Sequence, residues 1–227
     1  MILNTHFYHS TITLYTGVFG SLFNDIKIKR AKGFVVVPIA YAFKQKYDAR
    51  NRENPDPNVL RKKTELPRFG FRLVGIRRDT TRIQHKMQML TEANATHQSG
   101  IKSQRQRVPF TFTFELSIKT KNIDDMNQIL EQILPMFNPA LNVTVDDNKD
   151  LDQDTSINVK LLDINPEFMF EGSFEDEQII ESTLSFDLEG YLYMPTQPVK
   201  IIKSININYH DLGIKGYPLV DTDTITE

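Results

Sequence analysis

The chain has 227 residues, 40% of them hydrophobic, with a net charge of −2 and no cysteine. That length suits one domain with a sizeable core, and the missing thiols exclude disulfides, thiolate metal sites and cysteine nucleophiles together. No window approaches the ~18 uninterrupted apolar residues of a membrane-spanning helix, and MILNTHFYHS lacks the basic and apolar regions of a signal peptide. The balanced total conceals a polarity. Residues 1–121 hold 22 Lys plus Arg against 8 Asp plus Glu, a charge of +14, whereas residues 122–227 hold 5 against 21, a charge of −16. Two readings fit: the halves interleave in one sheet and neutralise each other, or they form complementary faces between identical subunits, which favours a closed ring.

In chain order, Thr11–Asn24 predicts a helix with Ile12, Tyr15, Phe19, Leu22 and Phe23 on an apolar side and Thr13, Gly17, Gly20 and Ser21 on a small-residue side. Each glycine weakens a helix by about 1 kcal/mol, a cost that close approach of another backbone offsets. Asp25–Arg30 reads as a short strand with Ile26 and Ile28 on one face. Phe34–Ala42 is nearly continuously apolar and so predicts a central strand. Lys44–Pro67 is polar and carries three prolines, which suits a short helix and a loop. Arg68–Arg77 alternates Phe69, Phe71 and Leu73 as a strand does. Asp79–Gln106 shows no sustained period, and Gln88–Arg107, which overlaps it, is expected to project as an arm.

The clearest block is Val108–Phe137. Phe110, Phe112, Phe114, Leu116 and Ile118 alternate with polar residues, the period of a strand with one buried face. Met126, Ile129, Leu130, Ile133, Leu134 and Phe137 then fall on one helix stripe. Asn122 stands at the N-cap position, Asp125 where a capping-box acid would be, and Pro135 ends or kinks the helix near Leu134. Leu141–Val145 follows as a short strand, Asp146–Asp154 as an acidic loop, then strands beginning at Ile157 and running over Ile180–Leu188 and Val199–Tyr209, with a loose tail from Asp211. The sum is an α+β domain over residues 1–227: a mixed, mainly antiparallel sheet with two or three helices packed on it.

Candidate chemistry is thin. Five histidines are present: His6, His9, His85, His97 and His210. The H-x-x-H spacing of His6 and His9 has no third ligand nearby, so a structural or surface role is expected. Asp150-x-Asp152-x-Asp154 resembles the opening of a calcium loop but lacks its sixth-position glycine, and Leu161 stands where the twelfth-position glutamate belongs. Lys27, Lys29, Arg30 and Lys32 make a basic strand face with no aromatic platform or recognition helix, which reads as a solvated face or subunit contact before a DNA contact. No catalytic residues, metal or cofactor are expected. Gly17, Gly20, Lys27, Lys29, Arg30, Arg77, Arg78, Arg105 and Arg107 are the candidate subunit or partner contacts.

One segment resembles a known family. FELSIKTKNIDDMNQILEQILPMFNPALNVTV is similar to the central segment of the tail-sheath stabiliser, or tail completion, proteins of contractile-tailed bacteriophages. FYHS, LFNDIKIKR, VPIAYAFK, ELPRFGFRLVGI and LSFDLEGYLYMP resemble further blocks of that family in the same order. The resemblance fails over about Gln88–Arg107 and after about Tyr209. It implies a tail-terminator-like fold and a non-enzymatic virion protein, made in the host cytoplasm and located at the neck-proximal end of the tail. There a ring, six subunits in the family, would cap the sheath, bind the tube terminator and let the tail join neck and head-completion proteins. DNA would at most pass through the lumen. The tail-tube terminator itself, or a nucleic-acid-binding module built on the basic half, are the alternative readings.

Overall fold

The computed structural model describes residues 6–31, 33–41, 66–85, 87–93, 101–148, 153–169, 179–198, 204–208 and 222–226. Helix α1 is Thr11–Ser21, followed by β1 Lys27–Arg30, β2 Gly33–Val36, β3 Ile39–Tyr41, β4 Arg68–Arg78, β5 Met89–Ala93, β6 Ile101–Arg105 and β7 Val108–Thr120. Helix α2, Ile123–Ile133, runs into a 3₁₀ turn at Leu134–Met136, and β8 Leu141–Asn148, β9 Gln153–Met169, β10 Ile179–Leu192, β11 Gln197–Pro198, β12 Ser204–Asn208 and β13 Thr222–Thr226 complete the chain. The backbone divides into two compact units, Met1–His85 with Arg107–Tyr193, and Lys86–Gln106 with Met194–Glu227.

The first unit is built on a six-stranded sheet in the order β3–β4–β7–β10–β9–β8. Every neighbouring pair is antiparallel except β3 with β4. The alternation read from the sequence sets its buried face. Phe112, Phe114, Leu116 and Ile118 of β7 are fully buried beside Leu184, Phe186 and Leu188 of β10. Helix α1 crosses this face and contributes Tyr15 and Phe19, with Phe23 just beyond it. The Phe19 ring stacks on Phe114 at 4.5 Å and meets Phe186 edge-on at 5.4 Å, arrangements worth about 0.5–1.5 kcal/mol beyond the area they bury. From α2, Met126, Ile129 and Ile133 are buried, while Leu130 and Leu134 are half-buried against the same core. Gly20 lies where a Cβ would come within 2.8 Å of the Phe71 ring, so a larger residue would lift α1 off the sheet.

Several expectations change. Phe34–Ala42 is not a buried central strand. Val37 and Pro38 divide it into β2, whose residues are all exposed, and β3, a strand at the sheet edge. Pro38 has no amide to give a central ladder. The Asp146–Asp154 loop is instead the end of the β8–β9 hairpin, with Asp146 directly opposite Asp154. Asn122 occupies the N-cap position of α2 but makes no side-chain cap bond. As Pro135 suggested, the α-helix ends next to Leu134, its last residue being Ile133, and tightens into the 3₁₀ turn.

In the second unit β5 and β6 form an antiparallel hairpin inside the unreadable stretch, extended by β11. Gln104 is buried there and donates from its amide to the carbonyl of Met194. Thr222–Thr226, within the tail expected to be loose, pairs with Ser204–Asn208. The Lys44–Glu65 part of the polar stretch, Lys32, His97, Asp150, Asp152, Val199 to Lys203 and residues 209–221 lie outside the described residues.

Candidate interaction surfaces

A buried polar cluster ties α1 to the β8–β9 edge. Asp147 sits at a register shift of β8 opposite β9, in phase with the inward residues Val143 and Val145, and is buried. One oxygen accepts from the Tyr15 hydroxyl at 2.6 Å and the other from the Tyr193 hydroxyl at 2.8 Å. The amide of Tyr191 donates to Tyr15 Oη at 3.0 Å, and Thr155 Oγ1 lies 3.2 Å from Tyr193 Oη. Arg107 donates to Thr155 at 3.1 Å and places its guanidinium 4.1 Å from the centre of the Tyr191 ring. Burial, then the Asp147 charge, raises the Tyr15 phenol well above its ordinary value, and burial first of all pushes Tyr193 up to about 12. A carboxylate with both oxygens bonded and out of water has no route to a substrate. The cluster is a lock between elements, and Arg107, a candidate contact, packs against it through Thr155 and the Tyr191 ring.

The opposite face of the sheet is polar. Arg72 pairs with Glu115 at 2.8 Å, Lys119 with Glu181 at 3.7 Å, Arg77 with Asp187 at 3.8 Å, and Lys160 with Glu189. Burial would raise the Glu189 carboxyl, but bonds from Lys160 and Asn158 hold it below its usual range. Lys119–Glu181, Arg77–Asp187 and the Arg30–Asp125 pair, at 2.6 Å, each join the basic half to the acidic half. Part of the charge split is therefore neutralised inside the subunit.

The remaining candidates fall at the edges. Arg78 is exposed on β4, Arg105 is exposed on β6 of the second unit, and Gly17 is exposed on α1 with open space beside it. Gly20 is buried beneath Phe71, so its small size serves the subunit's own packing. Lys27 and Lys29 are exposed on β1. There α2 supplies something the sequence reading missed. Gln128 accepts from the Lys29 amide at 2.8 Å and donates to its carbonyl at 3.3 Å, and Gln132 donates to the Lys27 carbonyl at 2.9 Å. Two glutamine side chains stand in for a neighbouring strand and close one edge of the β1–β2 hairpin. Their one-turn spacing on the polar side of α2 was the available signal. Among the described residues nothing pairs with the other edge, β2, where Phe34 is 72% exposed.

Residues 6–220 match the family model of the T4-like virus Myoviridae tail sheath stabiliser. The chain belongs to that family. It is also 31% identical, over 219 residues, to the tail completion protein gp15 of Enterobacteria phage T4, an alignment covering 90% of this chain and 79% of the relative. The match runs through both compact units, so each is part of the tail sheath stabiliser rather than an addition to it. Among the described residues no three His, Asp or Glu side chains are grouped to hold a metal ion.

Proposed function

We propose that the protein forms a ring, six subunits by family resemblance, at the head-proximal end of the tail. The ring caps the last turn of sheath, binds the tube terminator and presents the finished tail to the neck and head-completion proteins, without turning over any substrate. A tail-terminator-like fold is part of this reading, and a mixed sheet carrying two α-helices supports it. The family match over residues 6–220 carries the reading. Such a ring ends polymerisation by offering the growing sheath a complementary face and no onward one, and it ties the sheath to the end of the tube. The virion tail is its site of action and the host cytoplasm its place of assembly. Residues 88–107, which include the paired strands β5 and β6, serve in this reading as an arm that settles on a neighbouring subunit.

Electron micrographs of the purified protein test the ring directly, and the proposal expects closed particles with six subunits. Co-sedimentation with polymerised sheath tests the partner. A protein that is monomeric both alone and on assembled tails, or that ignores sheath, would remove the proposal.

A further inference from the structure

The β1–β2 hairpin has one closed edge and one open one. Its backbone pattern shows which groups face out. The amide and carbonyl of Lys29 both go to Gln128, so Lys29 and its partner Phe34 form a non-hydrogen-bonded pair. Alternation puts Lys27 and Val36 in the same class, and the bond from the Val37 amide to the Ile26 carbonyl at 3.0 Å fits that phase. Phe34 and Val36 therefore turn their amides and carbonyls to the open edge of β2. Their side chains are 72% and 52% exposed. On the same outward face stand Lys29 and Lys27, directly opposite them. An open edge with large apolar side chains is a template for another strand.

The far side of the sheet offers a match. The hairpin joins β3, one edge of the six strands, through only Val37 and Pro38, whereas β8 is the other edge. On β8 the outward residues are Asn142, Thr144 and Asp146, and the inward ones are Leu141, Val143 and Val145. Asp146 faces Asp154 across the hairpin, and both are exposed. Two like charges directly opposite repel, and a cation added beside them relieves that repulsion. Laid alongside β8, β2 would set Phe34 and Val36 beside Asn142, Thr144 and Asp146, with Lys27 and Lys29 of β1 on the same face one strand further on. The inner β2 residue Val35, 37% exposed, would fall beside half-buried Leu141 and Val143.

We infer that β2 of one subunit adds to β8 of the next copy of this chain, so that each six-stranded sheet in the ring is extended by its neighbour's two-stranded hairpin. The two surfaces differ and lie at opposite edges, so the contact is head-to-tail, the kind that closes rings. This inference rests on the ring reading above and assigns its joint. Charge complementarity picks a second copy as the occupant, because the basic hairpin and the acidic edge are carried by the same chain.

Absence of native cysteine makes the test clean. Val36→Cys, Thr144→Cys and the double variant are each treated with a short bismaleimide and run on denaturing gels. The double variant should give a ladder ending at the full ring number, while each single variant stays monomeric. Val36→Pro, which removes an outward amide that β1 does not use, should shift the assembly towards monomer while leaving the circular dichroism spectrum and melting of the monomer unchanged. Dimers from Val36→Cys alone would mean that β2 meets β2, and cross-linking only when sheath is added would mean that β2 serves a different protein. Either result overturns the inference, as does a double variant that forms rings but no ladder. Light scattering on the unaltered protein separates the two levels: rings without the ladder sink the joint alone, and no rings sink the ring reading.

Discussion

Gly190 is the position where the account of the first unit is most exposed to test. A Cβ there would lie 2.5 Å and 2.8 Å from two carbons of the Tyr15 ring, closer than carbon atoms stand, and a tight 3.1 Å from Phe112. Both rings are fully buried, so neither can swing into solvent. In Gly190→Ala the Tyr15 ring must move, and its hydroxyl then leaves Asp147, now 2.6 Å away. Overpacking costs roughly 1–3 kcal/mol, and a hydrogen bond to a charged group is worth about 1.5–3 kcal/mol. Together they give about 2.5–6 kcal/mol, a large share of the ~5–15 kcal/mol that holds a domain folded. For a chain of this size that lowers the melting temperature by about 10 °C. Calorimetry or urea titration measures it. The same substitution in a Tyr15→Ala background should cost at least about 1 kcal/mol less, because the clashing ring is gone. A melting shift under about 2 °C, or an equal cost with and without the ring, would refute the packing argument.

Further outcomes follow from the same geometry. Phe114→Ala removes the ring stacked on Phe19 and should cost about 3–5 kcal/mol by urea titration. Arg30→Ala should cost more than Arg77→Ala: Arg30 pairs at 2.6 Å with an Asp125 side chain only 4% exposed, whereas Arg77 is 77% exposed and 3.8 Å from its partner. The first leaves a buried carboxylate short of a partner, about 1–3 kcal/mol, and the second should stay within about 0.5 kcal/mol. Stability should fall in alkali. Tyr193 is held up to about 12 against an ordinary 10.0, so the folded chain keeps a proton that the unfolded chain loses. That contribution is complete below pH 10 and disappears as pH rises through about 12, and Tyr193→Phe should flatten the fall seen by denaturant titration across that window.

Where one element meets one core, the residues were readable. The alternation of Phe112, Phe114 and Leu116 and the stripe of Met126, Ile129 and Ile133 place their side chains in the core they predict. The run from Phe34 to Ala42 was misjudged because an unbroken apolar pattern says that residues avoid water, not which surface covers them. The same run makes an exposed strand, a tight link and an edge strand, and only Pro38 hinted at the division. Asp147 falls in phase with Leu141, Val143 and Val145, so parity pointed it inwards. An acid on an apolar face is legible only once Tyr15 and Tyr193, far away in sequence, are known to meet it. The interleaving of opposite charges through Lys119–Glu181 and Arg77–Asp187 likewise needed the strand order β4–β7–β10.

Tails assembled with and without this protein, compared by electron microscopy, bear most directly on the claim that it stabilises and completes the tail. The account predicts that tails lacking it carry sheaths that shorten or fall away and do not join heads, and that adding the protein back restores both. Full-length sheathed tails that join heads normally in its absence would contradict it.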